Sequence, residues 1–182
     1  MSEPKPLLKP IAPPTAEPRL WHDGRFADDA WRTLADDVAI PAEGHVLITL
    51  ARWRAQRTSL ATLGAPIGIV ADAGAILHPD SDDLGQLAVI ALAFPKFTDG
   101  RAYSTARRLR NLAGYRGQIR ATGDVLLDQI PLMLRSGFDA FEIRHLPTIA
   151  ALERGQLPAL MQIYQPTSET PTRPWISRRA VA

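Results

Sequence analysis

The sequence predicts a single α/β domain with a largely parallel sheet of about five strands, helices between the strands and an N-terminal β-hairpin. Short apolar runs recur about every 20 to 30 residues, and helix-forming stretches that end at glycine separate them. This βαβ alternation favours parallel strands joined by right-handed crossovers. Five strands are too few to close an eight-stranded barrel, so we expect either an open sheet or a partial barrel-like arc.

The strands and helices can be placed along the chain from their apolar patterns. We predict strands at residues 45–50, 66–71, 87–94, 118–121 and 140–144, and helical segments at 52–63, 82–86, 103–113 and 147–156. A further helix should follow Asp124, a residue suited to capping it. Pro131 would cost that helix about 3 kcal/mol in its interior, so we expect a kink or a restart near Asp128.

The two ends of the chain differ in composition from the domain at 19–164. Residues 1–18 contain six of the sixteen prolines and predict a flexible tail, or alternatively an arm that contacts a partner subunit. Residues 165–182 are rich in proline, serine and threonine and predict a second flexible tail. At 19–26 an Asp23-Gly24 pair indicates a hairpin with a type I′ turn, and we expect Trp21, Phe26 and Trp31 to pack together.

Composition excludes several classes of function. A formal net charge of +2 is too small to indicate nucleic-acid binding, and the absence of cysteine removes disulfides, thiolate nucleophiles and cysteine-ligated metals. The chain shows no signal-peptide core and no apolar run that could span a membrane, so a cytoplasmic location is expected. Neither a dinucleotide fingerprint nor a P-loop is present, and no cofactor is indicated.

Metal ligation is also not favoured by the pattern of acidic and histidine residues. The acidic residues at 28, 29, 36 and 37 have no histidine at ligand spacing, which is more typical of a solvated edge than of a metal site. The four histidines, His22, His45, His78 and His145, form neither a triad nor a metal motif by their spacing.

Charged residues follow the predicted strands at the ends where parallel α/β folds bind ligands. The candidate anion-binding residues are Lys96, Arg101, Ser104, Arg107 and Arg120. Cations beside a helix N-terminus would suit a phosphate, a sulfur oxyanion or a carboxylate. Asp99 and Asp124 are candidates for an acid/base pair and Tyr103 for a proton donor. Each also has a purely structural explanation. Asp99 could simply form the turn into the helix, Arg101 could pair with a neighbouring acid, and Arg107 could be a solvated helix residue.

The segment at 94–141 resembles a known family through three ungapped motifs. They read FPKFTDGRAYSTARRLR, GYRGQIRATGDVLLDQ and GFDAF in this chain, and residues 20–50 look like the looser N-terminal part of the same family. The family is that of the bacterial domain of unknown function 934. The matching motif positions are Lys96, Asp99, Arg101, Ser104, Arg107, Arg120, Asp124, Asp128 and Asp139. Many members have cysteine where this chain has Ser136, so a redox role at that position is in doubt here.

The resemblance implies a biological context. Family members are usually encoded beside assimilatory sulfite reductase and the enzymes that reduce activated sulfate, and some are labelled oxidoreductases. Three hypotheses follow: an accessory protein that binds the reductase, a small oxyanion or both; an enzyme for a small anionic substrate that uses the acids and cations above; and a structural domain that forms homo-oligomers through Trp21 and Phe26.

Overall fold

A computed structural model describes residues 15–60 and 63–158 of the 182-residue chain. The predicted C-terminal tail at 165–182 lies outside these residues, and so do residues 1–14 of the predicted N-terminal tail. The rest of that predicted tail, Thr15 to Pro18, forms the start of the first strand.

The described residues contain eight strands and four α-helices. The strands are β1 (Thr15–His22), β2 (Arg25–Ala27), β3 (Trp31–Thr33), β4 (His45–Thr49), β5 (Ile67–Ala71), β6 (Val89–Phe94), β7 (Gln118–Gly123) and β8 (Ala140–His145). The helices are α1 (Leu50–Leu60), α2 (Arg101–Asn111), α3 (Ile130–Ser136) and α4 (Leu146–Glu153), and a 3₁₀ turn spans Leu84–Gln86.

All eight strands belong to one mixed sheet with the order β2-β1-β8-β7-β6-β5-β4-β3. Strands β3 to β8 are parallel to their neighbours, while β1 runs antiparallel to both β8 and β2. The expectation of about five strands is therefore wrong in number. The five predicted strands are β4 to β8; the short strand β3 was missed, and the N-terminal hairpin joins the sheet through β1.

The sheet is curled into a half-barrel, and the chain itself shows how tightly. Strands β2 and β3 form its opposite edges, yet only residues 28–30 connect them. Four Cα steps reach at most about 15 Å, whereas seven spacings across a flat sheet would measure about 34 Å. The two edges must therefore approach each other, which agrees with the arc that the sequence allowed and excludes a flat, open sheet.

The two faces of the curled sheet are packed differently. On the helix side, alternate strand residues such as Ile69, Leu92 and Ile119 pack against buried residues of the helices, among them Trp53 and Ala106. The opposite face, which we call the inner face, holds a smaller apolar group, Leu47, Val89 and Ala91, together with half-buried Trp31 and Val70. Because side chains alternate along each strand, successive residues serve the two faces in turn.

Local geometry bears out some predictions and corrects others. Asp23 and Gly24 both have positive φ, as a type I′ hairpin requires, and Trp21 pairs with Phe26. Trp21 packs against Phe141 in the main core, whereas Trp31 lies in the inner-face cluster, so the three aromatic residues do not form one group.

The proline that seemed awkward in the helix after Asp124 is placed without cost. Helix α3 begins only at Ile130, which puts Pro131 in the first turn, where no backbone N–H is needed. The prediction of a restart near Asp128 was thus close. Asp124 does not cap this helix; its carboxylate instead accepts a hydrogen bond from the backbone of Phe97.

Candidate functional site

The carboxyl ends of β6, β7 and β8 form a rim where the loops are tied together by hydrogen bonds. The Phe97 N–H donates to Oδ2 of Asp124 over 2.9 Å, and the Gln129 amide donates to the Phe97 carbonyl over 2.7 Å. At Gly123 the backbone has φ +91°, and an added Cβ would lie 2.4 Å from the Phe94 carbonyl oxygen. Glycine therefore permits the loops after β6 and β7 to approach closely.

Asp99 and Arg101 form a closed pair at the start of α2. Two guanidinium nitrogens of Arg101 donate to the Asp99 carboxylate over 2.9 and 2.6 Å, and the backbone N–H of Arg101 donates to it over 3.2 Å. These bonds lower the pKa of Asp99 to about 2. Asp99 is therefore ionised at neutral pH and is a weak proton acceptor. The side chain of Arg101 remains 64% exposed and passes beside Gly74 after β5.

Tyr103 and Asp124, the other two predicted catalytic residues, are also engaged. The Tyr103 ring packs edge-on against Phe94, with 5.3 Å between centroids. Burial, and secondarily the negative charge of Asp128, raises the pKa of Tyr103, so its hydroxyl stays protonated at neutral pH. The Asp124 carboxylate holds the loop at Phe97, as described above. Asp99 and Asp124 thus contact different partners and not each other.

Three more of the predicted anion-binding residues have exposed side chains: two of these have no partner among the described residues, and the third, Ser104, faces a different loop. Lys96 and Arg107 are exposed, and neither side chain forms an ion pair or hydrogen bond with any other residue that the structure describes. Ser104 is also exposed, on the side of α2 that faces the loop after β5. Lys96 and Arg101 are therefore the two cations near the start of α2, while Ser104 and Arg107 are farther along the helix.

Arg120 is placed on the inner face and away from this rim. It is the third residue of β7, flanked by Ile119 and Ala121 of the helix-side core, and only 1% of it is exposed. Its guanidinium donates to Asp29 over 2.6 and 3.1 Å and to Gln118 over 3.1 Å. The guanidinium is thus buried and bound to both Asp29 and Gln118, so it is not open to an anion. The expected meeting of Arg120 with Lys96 and Arg101 around one hollow is not found.

Asp139, another position carried over from the family resemblance, lies at the opposite end of the sheet. Its carboxylate accepts two hydrogen bonds from Arg110, at 2.7 and 2.6 Å, and one from the Ile119 N–H. Arg110 also donates to the carbonyls of Tyr115 and Gly117. This cluster joins α2 to the amino ends of β7 and β8, a location typical of residues that stabilise a fold and not of ligand sites.

Several polar contacts at and across the sheet could not be found from local sequence patterns. Buried Thr148 accepts a hydrogen bond from the Leu127 N–H and lies 2.7 Å from Nδ1 of His145, which ties α4 to the rim. Asp29 was grouped with a solvated acidic edge, yet it neutralises the most buried arginine of the described residues. The one sequence signal for the contact between Asp29 and Arg120 is the alternation of side chains along β7, which places Arg120 on the face opposite the main core.

The described ranges contain no group of three or more histidine and acidic residues that could hold a metal ion. Within the same ranges no helix is both long and apolar enough to cross a membrane.

Comparison with known proteins places the chain in a family. The search among curated proteins finds no match. The family model described as "Bacterial protein of unknown function (DUF934)" matches residues 68–175, which is more than half of the chain. The matched region begins within β5 and includes all the candidate site residues, whereas the hairpin and strands β3 and β4 precede it. The chain therefore belongs to the DUF934 family of bacterial proteins of unknown function.

Proposed function

We propose that this chain is a non-catalytic accessory protein of reductive sulfur assimilation, which binds assimilatory sulfite reductase in the cytoplasm and holds a small oxyanion beside Lys96. The metabolic context comes from the family resemblance, because members are encoded beside that reductase. The choice of binding over catalysis comes from the geometry of the rim.

The observation that carries the proposal is that the acid and base candidates of the rim are already committed. Asp99 is neutralised by Arg101 and has a pKa of about 2, Asp124 holds the Phe97 N–H, and the pKa of Tyr103 is raised. A general acid or base works best with a pKa near the working pH, and these shifts move Asp99 and Tyr103 away from it. The groups that are free to interact are exposed cations, of which Lys96 is at the rim.

The oxyanion would be held by charge and by few directional contacts. Lys96 supplies an uncommitted ammonium group, and the outer part of Arg101 remains open to solvent. The backbone N–H of Arg101 already donates to Asp99, so this donor at the start of α2 is not available to the oxyanion. We therefore expect weak binding of sulfate or sulfite that depends on Lys96 and declines with added salt.

The partner is tested with purified proteins. A sample of the full chain and the purified reductase should co-elute on sizing, and removal of the gene should reduce sulfite reduction in cells. A reductase that elutes alone, together with unchanged sulfite reduction after gene removal, would contradict the accessory role.

The oxyanion is tested separately by following backbone amide signals of the full chain during titration with sulfite and with sulfate. Shifts should concentrate at residues 95–101, and Lys96→Ala should abolish them. Arg32→Ala, which removes an exposed cation from the edge strand β3, should leave them unchanged. Equal shifts in both variants would show that no site exists at Lys96.

An enzyme acting on a small anionic substrate is the second candidate, with Asp99 or Asp124 as the base, because both carboxylates lie in the rim loops near the exposed cations Lys96 and Arg101. The double variant Asp99→Asn, Asp124→Asn should then abolish turnover of a substrate while the protein stays folded; surviving turnover would exclude these groups. The third hypothesis, oligomerisation through Trp21 and Phe26, loses its main contact residue, because Trp21 is buried in the core.

A further inference from the structure

An apolar groove lies between α2 and the loop that follows β5. It encloses about 220 Å³. Leu77 and Leu109 form its buried floor, while Ile76 and Leu112 stand at its borders with 60% and 80% of their surface exposed. Large aliphatic residues left in water at both borders of a groove mark a surface that gains free energy when another molecule covers it.

A second cavity extends this groove past the end of α2. It encloses about 350 Å³ and shares Pro79 and Ala113 with the first. Its far wall contains Tyr115 and Arg116. Along α2 alone, the distance from Ser104 to Leu112 is about 12 Å, which accommodates roughly two turns of a helix or four residues of extended chain. The groove therefore has the length of a peptide segment and exceeds that of a small ion.

The charge along the groove is mainly positive. Helix α2 carries four arginines and no acidic residue. Arg101 and Arg110 are paired with Asp99 and Asp139, but Arg108 in the groove wall has no carboxylate partner among the described residues. Arg107 on the same helix and Arg116 at the far end are likewise uncompensated within the described ranges, and one exposed acid, Asp80, lines the second cavity.

We propose that this groove binds an acidic segment of a partner protein, with aliphatic side chains in the apolar floor and carboxylates on Arg108 and Arg116. The inference deepens the proposed function and rests on it, because it names the surface through which an accessory protein would hold its partner. Aliphatic floor and uncompensated arginines together match a segment that alternates leucine-like and acidic residues, recognised by helix-in-groove packing or by an extended chain.

Other occupants fit the chemistry less well. The residues of this chain outside the described ranges are not acidic, since 159–182 contains one glutamate and three arginines and 1–14 contains one glutamate and two lysines. A second copy of the same groove would bring arginine against arginine. Nucleic acid would satisfy the arginines but would leave the leucine floor unused, and the formal net charge of the whole chain is only +2.

The test uses the full-length protein and a fluorescein-labelled peptide of about twelve residues, with leucines at helical spacing and glutamates elsewhere. Fluorescence anisotropy should show saturable binding. Arg108→Glu and Leu112→Asp should each weaken it by roughly tenfold or more. The matched controls are Arg32→Glu, which makes the same charge change on β3, and Leu146→Asp, at another partly exposed leucine; both should bind as the native chain does.

Four outcomes would overturn the inference. They are no saturable binding of the glutamate peptide, equal weakening by the groove and control variants, tighter binding of a single-stranded oligonucleotide that the same groove variants weaken, or self-association on sizing that Leu112→Asp abolishes.

The purified reductase then separates this inference from the proposed function. If the reductase binds the native chain and the groove variants equally, the groove is not the contact surface and the accessory role stands. If the reductase does not bind but the peptide does so through the groove, the surface stands and the proposed partner is wrong.

Discussion

At the scale of single residues, the buried ion pair between Arg120 and Asp29 makes the sharpest prediction about stability. Arg120 on the inner face depends on Asp29, whose other carboxylate contact is the Trp31 N–H. Replacing Asp29 by asparagine would leave the guanidinium buried with no neutralising charge, and such changes typically cost about 3–5 kcal/mol. We expect Asp29→Asn to lower the free energy of unfolding in urea by an amount near the lower end of that range, since Gln118 still accepts a bond.

The adjacent Asp28 provides the matched control for this prediction. Asp28 is exposed and makes no ion pair within the described residues. Asp28→Asn should therefore leave the urea midpoint almost unchanged. Equal midpoints for the two variants would mean that Asp29 does not neutralise Arg120 in solution.

For the pair formed by Asp99 and Arg101 at the start of α2, we predict only a change in the pKa of Asp99, because both side chains reach solvent. The hydrogen bonds from Arg101 lower the pKa of Asp99 from its ordinary value of 3.8 to about 2. Arg101→Gln removes the guanidinium and should return the pKa of Asp99 most of the way to 3.8. The carboxyl ¹³C shift of Asp99 during an acid titration measures this directly, with Arg107→Gln as a control on the same helix. An unmoved pKa in Arg101→Gln would show that the pair is not formed.

At the scale of elements, one buried acid fixes the loop that forms the groove wall. Asp82 accepts hydrogen bonds from two nitrogens of Arg54 and from the His78 N–H, all at 2.8 Å, and its carbonyl accepts one from the Trp53 indole. Arg54 also donates to the Ile76 carbonyl. Helix α1 thus holds the loop between β5 and the 3₁₀ turn in place, and Asp82 is the residue on which these contacts converge.

This arrangement predicts a dependence of stability on pH. The two bonds from Arg54, more than the one from the His78 N–H, lower the pKa of Asp82 below 3.8. A carboxylate with a lowered folded-state pKa stabilises the fold above its unfolded-state pKa, and that contribution is lost as the pH falls through the folded value. Urea unfolding should show Asp82→Asn less stable than the native chain at pH 7, with the gap closing below about pH 3.8. Asp80→Asn, in the same loop, should show no such gap.

The elements themselves were largely predictable because their signals are local. The apolar runs of β4 to β8 are short, buried and bounded by glycine, and α2 carries its buried alanines and leucine at helical spacing. Strand β3 was missed because three residues, Trp-Arg-Thr, give too short a pattern and acquire a strand partner only in β4. The bounds of α3 were predicted only approximately, because Pro131 indicates where a helix cannot continue and does not fix the residue at which the next helix begins.

At the scale of the whole molecule, contacts between segments that are distant in the chain could not be predicted from the sequence. Asp29 and Arg120 are 91 positions apart, and their pairing follows only once the sheet has curled and residues 28–30 connect its edges. Arg120 is also kept apart from Lys96 and Arg101, because its side chain lies on the inner face of β7 whereas α2 packs on the helix side. Counting charges at strand ends therefore predicted which residues follow the strands but not which side chains lie together, because a shift of one residue along a strand reverses the face.

The curl also makes the inner face a packed interior, and a single glycine tests this. Gly68 lies in β5 beside β4 and β6. A Cβ added to Gly68 would lie 2.6 Å from Cδ2 of Leu47, 2.8 Å from the Val89 carbonyl oxygen and 2.9 Å from the Val89 Cβ. The carbonyl and Cβ cannot move without the strand, so overpacking here should cost about 1–3 kcal/mol. Gly68→Ala should therefore lower the urea midpoint.

The control for this substitution is Gly64→Ala. Gly64 has no positive φ and no described atom within 4 Å of an added Cβ. Alanine there should keep or slightly raise stability, because it reduces the conformational freedom of the unfolded chain. If Gly68→Ala were as stable as Gly64→Ala, strands β4, β5 and β6 could not be packed as closely as a curled sheet requires, and the inner face would be open enough to admit a ligand.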